Sequence, residues 1–344
     1  SGCLGGLIYF AFVVSISIIL ACVGWMAASD VLALNKEPVT ATVTLDKSEF
    51  KDVTISYTDA DGNAKERSGH QVSVGYVAKQ LKDAGIIKYK GLFELYCSVS
   101  HAKTKIDPGT YELSTNYDYR ALVKKMQVGS GAMVTTKVTI PEGYTVQQIL
   151  ALLASKGVNT EEALTEAAKT ASFTYDFIKD TGELSRLEGY LFPDTYEFYL
   201  NEKPASAIKR LLDNFNRKMT EERMQAVEES GYSLKEIITI ASLIEKETDG
   251  TDHAKIASVI YNRLNDSGSH GTYKMLNIDA ALLYALPDHE GALTNADKKV
   301  DSPYNLYTHA GLPPTPIANP GIASIDAALH PETTDYYYYA LGTD

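Results

Sequence analysis

Apolar residues run together most densely at two places in this 344-residue chain, and the first is close to its start. Leu4 to Ala28 carries no charged residue, and about 20 apolar residues are enough to cross a bilayer. The run is longer than a signal-peptide core, and no small-residue cleavage pattern follows it. Trp25 lies near one end, where an interfacial aromatic is expected. Residues 1–29 are therefore predicted to form a single transmembrane helix.

The second apolar run is Ile237 to Ile244, which leads directly into Glu245 and Glu247. No Gly or Pro interrupts it, so the stretch from Ile237 to Thr248 is predicted to be a helix. Because it is apolar nearly all round, this helix is expected to be buried. The two carboxylates then lie at the end of a helix within the core.

Those two carboxylates differ in their helical neighbours. Glu247 lies over Ile240, Leu243 and Ile244, whereas Glu245 lies over a smaller and more polar set. An apolar surround raises the pKa of a carboxyl group, as a general acid near neutral pH requires. Glu247 is therefore the candidate catalytic acid and Glu245 the second choice. The alternative is a solvated helix end with no chemical role.

A helical unit occurs twice, at 72–86 and at 144–158, each closed by Gly85 or Gly157 with a β-branched residue after it. This is a C-cap pattern. Residues 68–135 are predicted to form a small α+β module, either for gripping substrate or only for packing. Residues 30–67 are predicted to be a polar connector with strand-like pieces, and 136–344 a larger mixed α+β domain.

The large domain contains two unusual stretches. Arg186 to Phe198 combines aromatics, carboxylates and a Pro and is predicted to be loop-like. Gly311 to Gly321 has four Pro and two Gly, which excludes a helix or a central strand. Its nearness in sequence to Tyr304, Asn305 and Tyr307 indicates either a binding loop or aromatic residues that support the loop.

Net charge, histidine spacing and cysteine content bear on the partners, cofactors and disulfides to be expected. The net charge of −12 argues against nucleic acid or an anionic lipid surface as the main partner. The seven His show no metal-ligand spacing, so neither a metal nor another cofactor is predicted. Cys3 and Cys22 lie in or beside the apolar span, which leaves Cys97 alone in the rest of the chain, with no partner for a disulfide.

Several long motifs together resemble one known family, the YceG-like endolytic murein transglycosylases of the MltG type. The resemblance runs in order over roughly residues 68 to 340. The motifs are Ile140-Pro-Glu-Gly-Tyr144, Glu188-Gly-Tyr-Leu-Phe-Pro-Asp-Thr-Tyr196, Ala241-Ser-Leu-Ile-Glu-Lys-Glu-Thr248, Ala257-Ser-Val-Ile-Tyr-Asn-Arg-Leu264, Ser302-Pro-Tyr-Asn-Leu-Tyr307 and Gly311-Leu-Pro-Pro-Thr-Pro-Ile-Ala-Asn-Pro-Gly321.

The resemblance implies a bacterial enzyme anchored in the cytoplasmic membrane by one helix, with a LysM-like module and a catalytic domain on the cell-wall side. Members cut nascent peptidoglycan glycan strands internally, leave 1,6-anhydro-N-acetylmuramic acid ends, and are associated with penicillin-binding proteins. The family's catalytic Glu corresponds to Glu247. The candidate substrate-binding residues are Glu188, Tyr196, Asp279, Tyr304, Asn305, Tyr307 and Asn319.

Two departures and two alternatives accompany this prediction. The chain has Asn277-Ile-Asp279-Ala280 where the family commonly has Gln-Thr-Asp-Pro, and it stops at Asp344 where members continue, which suggests a truncated C-terminus. One alternative is a hydrolytic muramidase in which Glu247 works with Asp279 or Glu188. The other is a non-enzymatic, membrane-anchored glycan-binding scaffold for the wall-synthesis complex.

Overall fold

The computed structural model describes residues 2–34, 36–58, 64–127, 131–248 and 250–339, and their side chains except those of 2–7, 55–58 and 64–68. Contacts divide the chain into two compact units, residues 1–135 with 199–201 and residues 136–198 with 202–344. Each unit contains both helices and strands, so the predicted α+β class is confirmed. The finer division of the first 135 residues into anchor, connector and LysM-like module stays a prediction.

The first unit begins with the apolar helix α1 (Gly2–Val31). Its segment Ile8–Val31 is long and apolar enough to cross a membrane, and the most apolar 18-residue window of that segment is not covered by the rest of the described residues. Side chains such as Phe10 and Leu20 are exposed along it. An N-terminal apolar helix was predicted, and the structure contains it.

In the part of the first unit that the structure describes, the remaining elements include two strand pairs and three α-helices. The helices are α2 (Val74–Asp83), α3 (Lys90–Val99) and α4 (Tyr119–Lys125). The strands are β1 (Thr40–Leu45), β2 (Phe50–Thr58), β3 (Ala64–Val72) and β4 (Gly109–Ser114), with β1 antiparallel to β4 and β2 antiparallel to β3. Val43, Leu81, Phe93 and Tyr111 lie in its core. The strand-like pieces of the connector are therefore paired strands, and β1 pairs with β4, which lies beyond the predicted connector.

The second unit is mainly helical. Its helices are α5 (Val146–Ser155), α6 (Glu161–Thr170), α7 (Pro204–Lys218), α8 (Glu221–Ser230), α9 (Leu234–Glu247), α10 (His253–Asn265), α11 (Asp279–Tyr284) and α12 (Ile322–Leu329). Two short strands, β5 (Thr135–Thr139) and β6 (Thr195–Tyr199), pair with each other. Helix α9 packs against α8, α10, α11 and α12, so the predicted buried helix lies at the centre of this unit.

Local sequence accounts for most of these boundaries. Ser233 and Glu236 form a capping box that starts α9. Gly85 and Gly157, with φ of 75° and 73°, follow α2 and α5, as the C-cap pattern predicted. The charged region from Pro204 to Ser230 divides into α7 and α8, since Thr220 caps a new helix.

Candidate active site

Helix α9 brings Glu245 and Glu247 out of the core at its C-terminal end. Every residue from Ile237 to Ile244 is buried, whereas Glu245 and Glu247 are partly exposed. This run is covered on every face, and packing against α8, α10, α11 and α12 holds the helix in place. The last turn of α9 is therefore a rigid platform for two carboxylates that solvent can reach.

Among the described residues, burial, the Tyr339 hydroxyl and the Asp279 charge set the protonation of Glu247. The Tyr339 hydroxyl donates to Glu247 Oε2 at 2.9 Å. Burial raises the pKa of Glu247, the negative charge of Asp279 raises it further, and the Tyr339 hydrogen bond opposes them. The net shift is upward, so the direction predicted from the apolar neighbours is confirmed. Such a carboxyl group holds its proton closer to neutral pH than an ordinary Glu does.

Tyr339 was not a predicted site residue, and α10 explains how it reaches Glu247. Ser258 shares a 2.8 Å hydrogen bond with Thr334, and the Asn262 amide donates to the carbonyls of Thr334 and Tyr336 at 2.8 Å. Arg263 donates to the next carbonyl, of Tyr337, at 3.3 Å. The segment before Tyr339 is thus held along α10. The only sequence signal for this contact is the run of four Tyr at 336–339.

Asp279, the first residue of α11, lies beside Glu247 and has two partners of its own. It accepts a hydrogen bond from the Tyr307 hydroxyl, and the Lys298 ammonium lies 3.6 Å from Asp279 Oδ1. The same ammonium lies 4.4 Å from the centre of the Tyr307 ring. Glu247, Asp279 and Tyr307, which the sequence predicted as site residues, are therefore brought together with Lys298 and Tyr339, which it did not.

Glu245 points to a different set of partners. Its Oε2 accepts hydrogen bonds from the Gly321 N–H at 3.0 Å and the Ser324 hydroxyl at 2.7 Å, at the start of α12. Glu142 lies nearby, and burial together with the Glu245 charge raises the pKa of Glu142, while His253 opposes this shift. Glu245 therefore joins α9 to α12, whereas Glu247 faces Asp279 and Tyr339.

Glu188 and Asn319 meet inside the second unit. The Glu188 carboxyl accepts from the Val146 N–H, the Asn319 amide and the Tyr284 hydroxyl, each at 3.0 Å. Burial raises the pKa of Glu188 to about 8 despite these three hydrogen bonds. The Asn319 carbonyl also accepts from the Leu191 N–H at 2.8 Å. These polar atoms connect α5 and α11 to the Pro-rich segment 311–321 and to the Glu188–Leu191 loop.

The other predicted residues also bond within the protein. Asn305 is fully buried and donates to the carbonyls of Lys298 and Val300 at 3.1 and 2.8 Å. Tyr304 shares a hydrogen bond of 2.8 Å with Thr315, while Tyr196 donates to the Phe192 carbonyl at 2.6 Å. Asn305 shapes the loop between Lys298 and Tyr307, which are the two partners of Asp279.

A cavity of about 790 Å³ lies near the other end of α9, lined among others by Ser233, Lys235 and Tyr175. Since α9 rises about 1.5 Å per residue, Glu247 is roughly 20 Å from that end of the helix. The cavity and the raised-pKa carboxyl are therefore separate. We locate the candidate site by the chemistry around Glu247, because a carboxyl group with a raised pKa can act as a general acid near neutral pH.

Comparisons with known proteins agree on the relationship of this chain. It is 32% identical over 280 residues to the endolytic murein transglycosylase of Bacillus subtilis (strain 168), covering 78% of this chain and 75% of that protein. Against the Streptococcus pneumoniae (strain D39) protein of the same description, identity is 30% over 297 residues. That alignment covers 78% of this chain but only 52% of the relative, so the chain spans about half the length of that protein.

A solved structure and a family sequence model also match this chain. The crystal structure of a YceG-like protein from Listeria monocytogenes aligns with a TM-score of 0.52 at 29% identity, covering 88% of this chain and 93% of that one. The sequence model of the YceG-like family matches residues 69–344. The chain therefore belongs to the YceG-like family.

Proposed function

We propose that this protein is a membrane-anchored endolytic lytic transglycosylase of peptidoglycan that uses Glu247 as its single catalytic carboxyl group. Membership of the YceG-like family and the description of two relatives as endolytic murein transglycosylases support the reaction class. The observation that carries the role of Glu247 is its environment. It is a partly buried, solvent-accessible carboxyl group with a raised pKa, at the end of a rigid helix.

The proposed reaction is internal to one sugar. Protonated Glu247 donates its proton to the glycosidic oxygen between N-acetylmuramic acid and N-acetylglucosamine, and the bond from that oxygen to C1 breaks. The C6 hydroxyl of the same muramic acid residue attacks C1, and its proton passes to the Glu247 carboxylate. This forms the 1,6-anhydro ring, consumes no water and regenerates the acid, so one carboxyl group serves as acid and then as base.

The residues around Glu247 suggest how the sugars are held. Asp279, Tyr307 and Lys298 offer a carboxylate, an aromatic ring and an ammonium group close to Glu247, and such a set suits sugar hydroxyls. Glu188, Tyr196, Tyr304, Asn305 and Asn319 were predicted to bind substrate. All five bond to other protein groups, and all but Tyr304 are also buried, unlike Asp279 and Lys298, so we propose that they position the loops that carry the site.

Two further parts of the proposal follow from the family resemblance. The LysM-like module in the first unit would grip the glycan strand, and penicillin-binding proteins would be partners in the wall-synthesis complex.

The hydrolase alternative needs a second carboxylate that activates water. Of the two candidates, Asp279 is the one whose charge acts on Glu247, but it contacts Tyr307 and Lys298, which favours an orienting role over activation of water.

Mass spectrometry of the products from uncrosslinked glycan strands tests the reaction. Anhydro ends are expected from the wild type and should vanish with Glu247→Gln, whereas Glu245→Gln, which alters the contact with α12, should still produce them. Reducing ends from the wild type would establish a hydrolase. Anhydro ends that disappear only with Glu245→Gln would move the catalytic role to Glu245.

The proposed topology needs a suitable thiol for labelling. Cys97 is buried, and burial raises the pKa of its thiol to about 12, so it reacts poorly in the folded protein. The exposed Lys124 is a better position. A membrane-impermeant maleimide should label Lys124→Cys from outside intact cells, and labelling only after lysis would contradict the cell-wall orientation.

A further inference from the structure

A groove lies between α1 and the segment that leads into α3. Its volume is about 530 Å³, with Val23, Met26 and Ala27 on the α1 side and residues 88–92 opposite. Three exposed lysines, Lys82, Lys88 and Lys90, also line it. The groove thus combines an apolar wall with several ammonium groups.

The carboxylate of Asp30 fixes this groove to α1. It accepts hydrogen bonds from the N–H groups of Lys88 and Tyr89 at 2.9 to 3.1 Å and from the Tyr119 hydroxyl at 2.6 Å. The Lys36 ammonium pairs with it at 2.7 Å, and Asp30 itself is buried. Because one side chain joins the end of α1 to the start of α3, the groove keeps a constant position along α1.

That position coincides with a membrane boundary if α1 spans a bilayer. From Ile8, the first residue of the membrane-length segment, 20 residues at about 1.5 Å each reach Ala27 and cover the roughly 30 Å hydrocarbon core. Val23 to Ala27 then occupy the last turns before the headgroups. The groove therefore opens at the level where acyl chains meet phosphates.

The charge around the groove suits contact with lipid phosphates. Residues 79–94 contain four lysines and two carboxylates, a net charge of +2 in a chain whose total is −12. One pair partly neutralises it, since the Lys90 ammonium lies 3.5 Å from Glu94. Helix α3 also exposes Leu95 and Val99, which are 62% and 75% accessible and lie on one face with Leu92. Apolar side chains beside lysines are typical of a surface that lies in a membrane interface.

We propose that this groove binds an anionic phospholipid of the leaflet at which α1 ends, with acyl chains against Val23, Ala27 and Leu92 and the phosphate against Lys82, Lys88 and Lys90. The inference rests on the membrane anchoring proposed above. The proposal gives the protein a preference for anionic lipid, which its overall net charge of −12 does not predict. A bound lipid would hold the first unit at a defined height above the bilayer.

The single Trp of the chain, Trp25, provides the test because it lies in the same turn of α1 as Met26 and is 56% exposed. The full chain is reconstituted in phosphatidylcholine vesicles that contain either brominated phosphatidylglycerol or brominated phosphatidylcholine at equal mole fraction. Bromine quenches Trp fluorescence only at short range. We expect the anionic lipid to be enriched around Trp25 by at least about fivefold, the effect of a single lysine that contributes about 1 kcal/mol near a membrane surface.

Two variants of equal charge separate a specific groove from general attraction. Lys82→Gln/Lys88→Gln/Lys90→Gln should reduce the enrichment to about onefold, the value for no preference. Lys47→Gln/Lys51→Gln/Lys124→Gln removes three exposed lysines of the same unit that do not line the groove, and should retain the enrichment. Equal quenching by both lipids in the wild type, or the same loss in both variants, would overturn the proposal.

Flotation of the same vesicles distinguishes the two proposals. If the protein floats with pure phosphatidylcholine vesicles but shows no lipid preference, only the proposal of lipid binding in the groove is overturned. Protein that does not float overturns the membrane anchoring, and the groove proposal falls with it.

Discussion

The hydroxyl of Tyr339 donates a 2.9 Å hydrogen bond to the carboxyl group of Glu247, from a position 92 residues further along the chain. This bond favours the charged form of Glu247, whereas burial and the negative charge of Asp279 favour the protonated form. The protonation of the proposed acid is therefore a balance of three effects. Two of them can be removed one at a time.

Tyr339→Phe should raise the pKa of Glu247 further, because it removes the only one of the three effects that lowers it. An acid catalyst loses activity as pH rises through its pKa, so the basic limb of kcat/KM should move to higher pH. A hydrogen bond to a charged group is worth about 1.5 kcal/mol, which corresponds to a shift of about one pH unit. The measurement is the pH profile of anhydro-product formation.

The neighbouring Tyr338→Phe serves as its control, since the Tyr338 side chain is 66% exposed. That variant keeps the aromatic ring that packs over Arg263 and should leave the basic limb where it is. A limb that stays in place with Tyr339→Phe would show that Tyr339 does not set the pKa of the catalytic group.

Asp279→Asn should move the same limb in the opposite direction. Removing the nearby negative charge lowers the pKa of Glu247, so the basic limb should shift to lower pH. Tyr307→Phe leaves the Asp279 charge in place and provides the matched comparison. If Asp279 were the base of a hydrolase, Asp279→Asn would instead abolish most activity at every pH.

Glu188 should make the folded protein less stable as pH rises. Its folded pKa of about 8 lies above the value of 4.5 that is ordinary for a Glu side chain, so the folded state binds the proton more tightly than the unfolded state does. The stabilisation is complete below about pH 4.5 and is lost between there and pH 8, to a total on the order of 5 kcal/mol.

Glu188→Gln, which resembles the protonated carboxyl group, should flatten this loss in urea unfolding measured across that range. The exposed Glu183→Gln should keep the wild-type pH dependence. The same slope in Glu188→Gln and wild type would show that Glu188 does not titrate in this way.

Gly189 should tolerate no side chain. Its φ is 89°, and an added Cβ would lie 2.6 Å from Ile238 Cγ2 and 2.8 Å from Pro316 Cγ. Gly189→Ala should therefore cost about 3 kcal/mol or more, from the left-handed backbone and from overpacking together. Gly182→Ala has a similar φ of 75° but open space around it, so it should cost only about 1 kcal/mol. Equal costs in chemical denaturation would show that the contact with Ile238 and Pro316 is relaxed without penalty.

The sequence alone determined the features that depend on neighbours within one or two helical turns. The run from Ile237 to Ile244 specified a buried helix that ends in two carboxylates, and the structure contains it as α9. The same local reasoning predicted the upward pKa shift of Glu247. Gly85 and Gly157 marked helix ends because only a left-handed residue completes that cap.

Only the tertiary structure decided which distant groups surround those carboxylates. Tyr339 reaches Glu247 because α10 holds residues 334–337, and Asn319 reaches Glu188 across 131 residues of chain. Hydrophobic periodicity describes which face of an element is buried, but it carries no information on which other element covers that face. The partners of Glu247 and the burial of Glu188 therefore follow from how the helices pack and not from the pattern of any one of them.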